Sequence, residues 1–230
     1  MGDIVEIASG ILSRSERRIE IAASNVANIA TPGYKRQVSF SALVSAAGEQ
    51  VPEVGGYTDF AIGKPVETGN PYDLAITGDG FFAVRSGDRL LYTRRGQFQR
   101  EPDGTLITGE GLAVQARGGG DIVLKGASFE VTQDGTVLDD GEPTAKLAVV
   151  AFGDPTGVSW EGSLFDAPAD TVVDVSQPAI RQGVLESSNV STGDEMVTIM
   201  EALRRAETGQ RLIGVYDDLM GRALSAFGQF

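Results

Sequence analysis

The stretch Ser24-Asn25-Val26-Ala27-Asn28-Ile29-Ala30-Thr31-Pro32-Gly33-Tyr34-Lys35-Arg36 decides how this chain is built, because it closes a helix that starts at the first residues. Upstream, Ile4, Ala8, Ile11, Ser15, Ile19, Ala22, Val26 and Ile29 recur at steps of three and four, the spacing of one buried helical stripe. Glu6, Arg14, Arg17 and Glu20 fall on the opposite face. A helix of about 25 residues is roughly 37 Å long at 1.5 Å per residue. Pro32 disfavours helical geometry at Thr31, and Gly33 supplies the turn. Asn25 and Asn28 are suited to hydrogen-bond backbone groups at the helix end.

The far end of the chain predicts a second helix. Ser191 with Asp194, or Thr192 with Glu195, offers a capping box. Behind it Met196, Ile199, Leu203, Ala206, Gln210, Ile213, Asp217, Met220 and Leu224 alternate steps of three and four. That is a coiled-coil seam with two polar interruptions, Gln210 and Asp217, which either face solvent or fix register among neighbouring helices. Gly209, Gly214 and Gly221 lie inside it, each costing about 1 kcal/mol relative to Ala. The helix is therefore marginal alone and needs a partner.

Between the helices the pattern changes. Residues 37–71 show neither period and read as an extended connection; residues 72–182 read as a β domain. Asp79-Gly80, Asp103-Gly104, Asp134-Gly135 and Asp140-Gly141 are tight-turn pairs. The strand candidates among them are Phe81–Val84, Leu90–Thr93, Leu112–Ala116, Phe129–Thr132 and Leu147–Phe152. Residues 153–182, interrupted by Pro155, Pro168 and Pro178, read as loop with one or two edge strands. The fold class is α+β: terminal helices, 1–36 and 183–230, paired in a coiled-coil-like assembly domain, with a central antiparallel β domain.

Composition narrows the chemistry. The net charge of -13 argues against a nucleic-acid partner. Most of it sits in residues 37–182, with ten Lys/Arg against twenty-one Asp/Glu, whereas residues 1–36 carry five against four and residues 183–230 four against seven. The middle is a solvated acidic body and the ends are near-neutral packing surfaces. The chain has no Cys and no His, so it offers no thiolate nucleophile, no zinc-thiolate site, no Ser-His triad and not the commonest transition-metal ligand. Asp3 and Glu6 stand where a secretion signal has its basic segment, and no apolar run follows; export without a cleaved signal is expected. No stretch approaches the roughly 18 apolar residues of a membrane span.

Other motifs carry little. Gly118-Gly119-Gly120 is followed by Asp121, not by the Lys-Ser/Thr of a phosphate loop, and reads as a flexible hairpin loop. Asp134, Asp139, Asp140 and Glu142 lack the spacing of a twelve-residue calcium loop and read as solvated turn carboxylates; change of Asp139 or Asp140 to Asn is expected to be nearly silent. Tyr92-Thr93-Arg94-Arg95 reads as a strand end and Trp160 as a packing residue. No catalytic, cofactor or metal site emerges.

The first stretch resembles the N-terminal signature of bacterial flagellar rod and hook proteins, an Asn-Leu/Val-Ala-Asn helix end followed by Thr-x-Gly-Phe/Tyr-Lys. Gly183-Val184-Leu185-Glu186-Ser187-Ser188-Asn189-Val190, with Glu195-Met196-Val197 and Met200, resembles the C-terminal signature. Gly78-Asp79-Gly80-Phe81-Phe82-Ala83-Val84 and Tyr92-Thr93-Arg94-Arg95-Gly96-Gln97-Phe98 look like the β-domain core of the longer members. Arg204-Arg205-Ala206-Glu207 departs from the family, which usually places an aromatic before the Glu.

The resemblance implies a structural subunit that stacks helically into the hollow, periplasm-spanning rod of the flagellar basal body. Its implied partners are copies of itself, other rod proteins, the surrounding rings, and the flagellar type III export apparatus during secretion. Length, and the short connection after Phe40-Ser41-Ala42-Leu43, point to the proximal rod over the distal rod or a hook-type subunit. The assembly surface is expected to use Ile4, Ile11, Ile19, Asn25, Val26, Asn28, Pro32, Gly33 and Tyr34 from the first segment. From the last it uses Leu185, Asn189, Met196, Ile199, Leu203, Ala206, Gln210, Ile213 and Met220. Tyr34, with Lys35 and Arg36, is expected to pack against a neighbouring subunit's helices. A rival from another class is a carbohydrate-active or binding module on a helical oligomerisation stalk, which converging carboxylates in a concave pocket would favour. A surface filament of adhesin type would be expected to carry a cleavable signal.

Overall fold

A computed structural model describes residues 3–39, 56–154 and 157–227. The helices are α1 (Asp3–Ala27) and α2 (Thr192–Phe227). The strands run β1 (Gln37–Ser39), β2 (Gly56–Thr58), β3 (Pro65–Glu67), β4 (Leu74–Ile76), β5 (Phe81–Ser86), β6 (Arg89–Thr93), β7 (Phe98–Arg100), β8 (Leu106–Thr108) and β9 (Ala113–Val114). They continue with β10 (Phe129–Val131), β11 (Thr136–Asp139), β12 (Glu142–Lys146), β13 (Val149–Phe152), β14 (Ser159–Glu161), β15 (Leu164–Asp166), β16 (Val172–Asp174), β17 (Ile180–Gln182) and β18 (Val184–Glu186). Two compact units result: Met1–Ala27, Gln37–Asp59 and Val190–Phe230 form one, Asn28–Arg36 and Phe60–Asn189 the other. The arrangement is α+β, with a central antiparallel β body between terminal helices.

In the first unit α1 supplies the partner that α2 needs. Ala8, Ser15 and Ala22, seven residues apart, are buried, as are Glu195, Ala202 and Gly209 on α2. A Cβ on Gly209 would lie 3.2 Å from the Leu12 side chain and 3.3 Å from the Ala8 carbonyl oxygen. Arg18 reaches Glu201 at 3.7 Å. Rising numbers on one helix thus meet falling numbers on the other, and the pair is antiparallel. The 36 residues of α2 outrun the 25 of α1. On that register about ten residues of α2, some 15 Å at 1.5 Å per residue, extend past the start of α1. Beside the helices, β1 and β2 pair antiparallel, Gln37 opposite Thr58.

The seam is rotated from the one expected. Ile199, Ala206, Ile213 and Met220 are half-buried along it, but Met196, Leu203, Gln210 and Asp217 face outward. Their places are taken by Glu195, Ala202, Gly209 and Tyr216, each one residue earlier. Both stripes have heptad spacing and share four members, so periodicity alone does not separate them. Packing does: the stripe with Ala202 and Gly209 lets the backbones approach closely, and leaves the bulkier apolar stripe uncovered.

In the second unit the largest sheet follows the order β14-β15-β6-β5-β9-β8-β7, with β13 joining β5 to β16. The strand β5 is buried on both faces, which is why Phe81–Val84 is a continuous apolar run. Phe82 and Val84 enter one cluster with Leu74, Leu106 and Leu147; Phe81 and Ala83 enter another with Tyr92, Val150 and Phe165. The sheet β10-β11-β12 turns at Asp140-Gly141, where Asp139 faces Glu142 and both turn residues have positive φ (52° and 84°). That is the two-residue hairpin turn that Asp-Gly favours.

Two segments differ from expectation. The stretch read as an extended connection carries β1, β2 and β3; its residues 40–55, including Phe40-Ser41-Ala42-Leu43, lie outside the described residues. Residues 153–182 contain four strands, β14 to β17, of three residues each, too short for alternation to register in sequence. Pro155 also lies outside the described residues.

Candidate assembly surfaces and a buried junction

The helix-ending stretch behaves as a joint. In the first unit Asn25 is buried and clamps the backbone of Gln37 in both directions, accepting from its N–H at 2.9 Å and donating to its carbonyl at 2.7 Å. In the second unit Asn28 accepts hydrogen bonds from Thr31, side chain to side chain at 3.2 Å and main chain to main chain at 3.1 Å. Gly33 takes φ 68°. A Cβ there would sit 2.5 Å from the Arg94 carbonyl oxygen and 2.6 Å from its carbon. Only a residue without a side chain fits both the conformation and the approach.

Around Gly33 the quoted motifs converge. Lys35, Arg94 and Glu186 are 2%, 4% and 4% exposed. Lys35 Nζ donates to Glu186 Oε1 at 2.7 Å, to the Ala61 carbonyl at 2.8 Å and to the Phe60 carbonyl at 3.4 Å. Arg94 Nε donates to Glu186 Oε2 at 2.5 Å. Arg94 Nη2 donates to the Ile76 and Gly78 carbonyls, both at 2.7 Å, and Nη1 to the Gly80 carbonyl. The Gly63 N–H adds a bond to Glu186 Oε1 at 2.8 Å, and the Gly33 N–H donates to the Glu186 carbonyl at 2.7 Å. Asn189 accepts from the Arg36 N–H at 2.7 Å and donates to the Ala61 carbonyl at 3.0 Å. Two buried cations thus share one buried carboxylate, and five main-chain carbonyls take most of the remaining donors. A buried charge is tolerated only with such complete pairing.

This junction corrects the expectation that Tyr34 and Lys35 face a neighbouring subunit. Both are buried inside their own chain, Tyr34 edge-on to Trp160 with ring centroids 6.1 Å apart. In the sequence Arg94 reads as an ordinary strand end, and Glu186 as one member of the C-terminal signature with no role of its own. The available signal was the placing of Glu186 after Val184-Leu185, where a charge in an apolar strand demands a buried partner.

The turn acids are also more than solvated carboxylates. Asp139 is buried and accepts from the Lys125 N–H at 2.7 Å and the Gly126 N–H at 2.9 Å. Asp140 accepts from Ala127 and Ser128 at 2.9 and 2.8 Å. Asp134 is engaged with Thr132, Thr136 and Lys146. Their oxygens hold a loop and a hairpin.

Of the residues expected at the assembly surface, Asn25, Gly33, Tyr34 and Leu185 are buried within the chain. Ile11, Ile19, Val26, Asn28, Pro32, Asn189, Ile199, Ala206, Ile213 and Met220 are half-buried; Ile4, Met196, Leu203 and Gln210 are exposed. The outward face of α2 carries Met196, Met200 and Leu203 at steps of four and three, 49%, 52% and 49% exposed. Leu212, Val215 and Leu219 form a second exposed run at steps of three and four, and α1 exposes Ile4, Val5 and Ile7.

A cavity of about 230 Å³ lies beside the junction, walled by Phe60, Phe81 and Phe152. One carboxylate, Asp79, borders it, and its two cations, Lys35 and Arg94, are those already engaged by Glu186. The converging carboxylates that a glycan-cleaving site requires are not at this cavity.

Comparison with known proteins covers most of the chain. Residues 6–35 match the flagella basal body rod protein family, residues 75–138 the flagellar hook protein FlgE/F/G D1 domain, and residues 181–226 the flagellar basal body rod FlgEFG protein C-terminal region. The chain is 32% identical to flagellar basal-body rod protein FlgF of Escherichia coli across 97% of both proteins. It is 30% identical to flagellar basal-body rod protein FlgG of Bacillus subtilis across 92% of this chain and 95% of that one. The chain belongs to the flagellar basal-body rod protein family. FlgF of Caulobacter vibrioides is 30% identical across 93% of each. The family is a structural one, not a family of enzymes. Lys35, Arg94 and Glu186 fall one in each of the three matched regions, so the junction ties together all three. Among the described residues no helix is long and apolar enough to cross a membrane.

Proposed function

We propose that this protein is a subunit of the flagellar rod, stacking helically with copies of itself and other rod proteins to transmit torque from motor to hook. The observation that carries this is the antiparallel α1–α2 pair, whose seam closes tightly at the small residues Ala8, Ser15, Ala22, Ala202 and Gly209 and leaves bulkier apolar rows uncovered on both helices. Such rows are met by neighbouring helices, and a head-to-tail contact that does not close builds a filament. The acidic β body forms the outer layer. Export runs through the flagellar type III apparatus, and the surrounding rings are the outer neighbours. The short connection after Leu43 supports a proximal position. Quantitative mass spectrometry of purified basal bodies tests the reading: the chain is expected in several copies per rod, and bodies with complete rods that lack it would refute the proposal.

A further inference from the structure

We infer that Lys35 and Glu186 are positioning residues that make the two chain crossings conditional on one another: residues 28–36 seat on the β body only when residues 183–189 are in place. The inference rests on the rod reading for its consequence, not for its physics. Lys35 and Glu186 are 151 positions apart in the chain, and the carboxylate is shared with Arg94 from the middle. Without the C-terminal crossing, two cations would be enclosed among carbonyls with no counter-charge from Glu186, an unfavourable state. Gly33 would also lose the Glu186 carbonyl, Arg36 the Asn189 side chain, and Gly63 the Glu186 carboxylate. Seating one crossing therefore favours the other. A subunit whose last segment has not yet arrived holds its N-terminal crossing unseated, so only the complete chain becomes competent to assemble.

Native-state amide exchange on the full-length protein tests this. Glu186→Gln is expected to speed exchange at Gly33, Arg36, Gly63 and Ser187, whose N–H donates to the Lys64 carbonyl at 2.8 Å, together and roughly a hundredfold. The Ala83 N–H, which donates to the Ala148 carbonyl within the sheet, serves as the reference for an intact body. Should Glu186→Gln fail to fold, Lys35→Met carries the test, because it leaves Arg94 and Glu186 as a balanced pair. The lock predicts faster exchange at Gly63 and Ser187 as well as at Gly33 and Arg36. Fast exchange confined to Gly33 and Arg36 would show that the crossings seat independently and would overturn the inference. In cells, Lys35→Met protein is expected to be secreted at the normal level but enter rods at least tenfold less than wild type; normal entry would also overturn it. Exchange reports on the lock alone, whereas the presence of wild-type chain in rods reports on the rod reading, so the two can fail separately.

Discussion

Replacing Gly33 with Ala probes the joint where the structure is tightest. The residue sits at φ 68°, and an added Cβ would lie 2.5 Å from the Arg94 carbonyl oxygen and 2.7 Å from the Arg95 nitrogen. The left-handed conformation costs a non-glycine residue about 1–2 kcal/mol. The obstacle is backbone, which cannot rotate away as a side chain can, so residue 33 must shift. That shift breaks the 2.7 Å bond from its N–H to the Glu186 carbonyl, worth about 1 kcal/mol. The sum is about 3 kcal/mol, or a fall in Tm of roughly 6–12 °C for a chain of this size. The assay is thermal unfolding of the full-length protein followed by fluorescence of its one Trp, Trp160, which packs on Tyr34 beside the joint. A Tm for Gly33→Ala within about 2 °C of wild type would refute the reasoning.

Other substitutions separate the remaining claims. Asp139→Asn is expected to cost about 1.5–3 kcal/mol through its buried hydrogen bonds to Lys125 and Gly126, seen as a lower urea midpoint; an unchanged midpoint would restore the reading of Asp139 as a solvated turn residue. Leu203→Asp places a charge on an exposed position, so the monomer should keep its Tm while swimming is lost; normal motility would exclude that row from the assembly surface. Asp121 is held below the usual carboxylate range chiefly by the Arg85 guanidinium, and Asp140 chiefly by the Ser128 N–H. A carboxylate depressed on folding contributes stability that is complete above its unfolded value of about 4 and is lost as pH falls through the folded one. Melting temperature should therefore hold from pH 7 to about 5 and drop below 4, and Asp121→Asn should flatten that acid limb; an unaltered limb would assign it to other groups.

The helices were legible because each carries a long, strongly periodic pattern. The face that α2 turns to α1 was not, since two heptad stripes share Ile199, Ala206, Ile213 and Met220, and only the close approach at Gly209 chooses between them. The four Asp-Gly turns were readable, and Gly80, Gly104, Gly135 and Gly141 all take positive φ. Residues 153–182 read as loop with one or two edge strands and hold four, β14 to β17, because three residues cannot display a period. The junction was hidden for another reason. Lys35, Arg94 and Glu186 lie far apart in sequence; Lys35 and Arg94 alone look like surface charges, and although Glu186 follows an apolar pair, only folding shows which cations meet it. The turn acids misled in the same way, since Asp139 reads as solvated until the loop at Lys125 and Gly126 closes over it.

The central claim, that this chain is a rod subunit, is met most directly by electron microscopy of basal bodies from cells deleted for its gene. The account predicts rings without a completed rod, no hook, and recovery when the wild-type chain is restored. Complete rods carrying hooks in the deleted cells would contradict it.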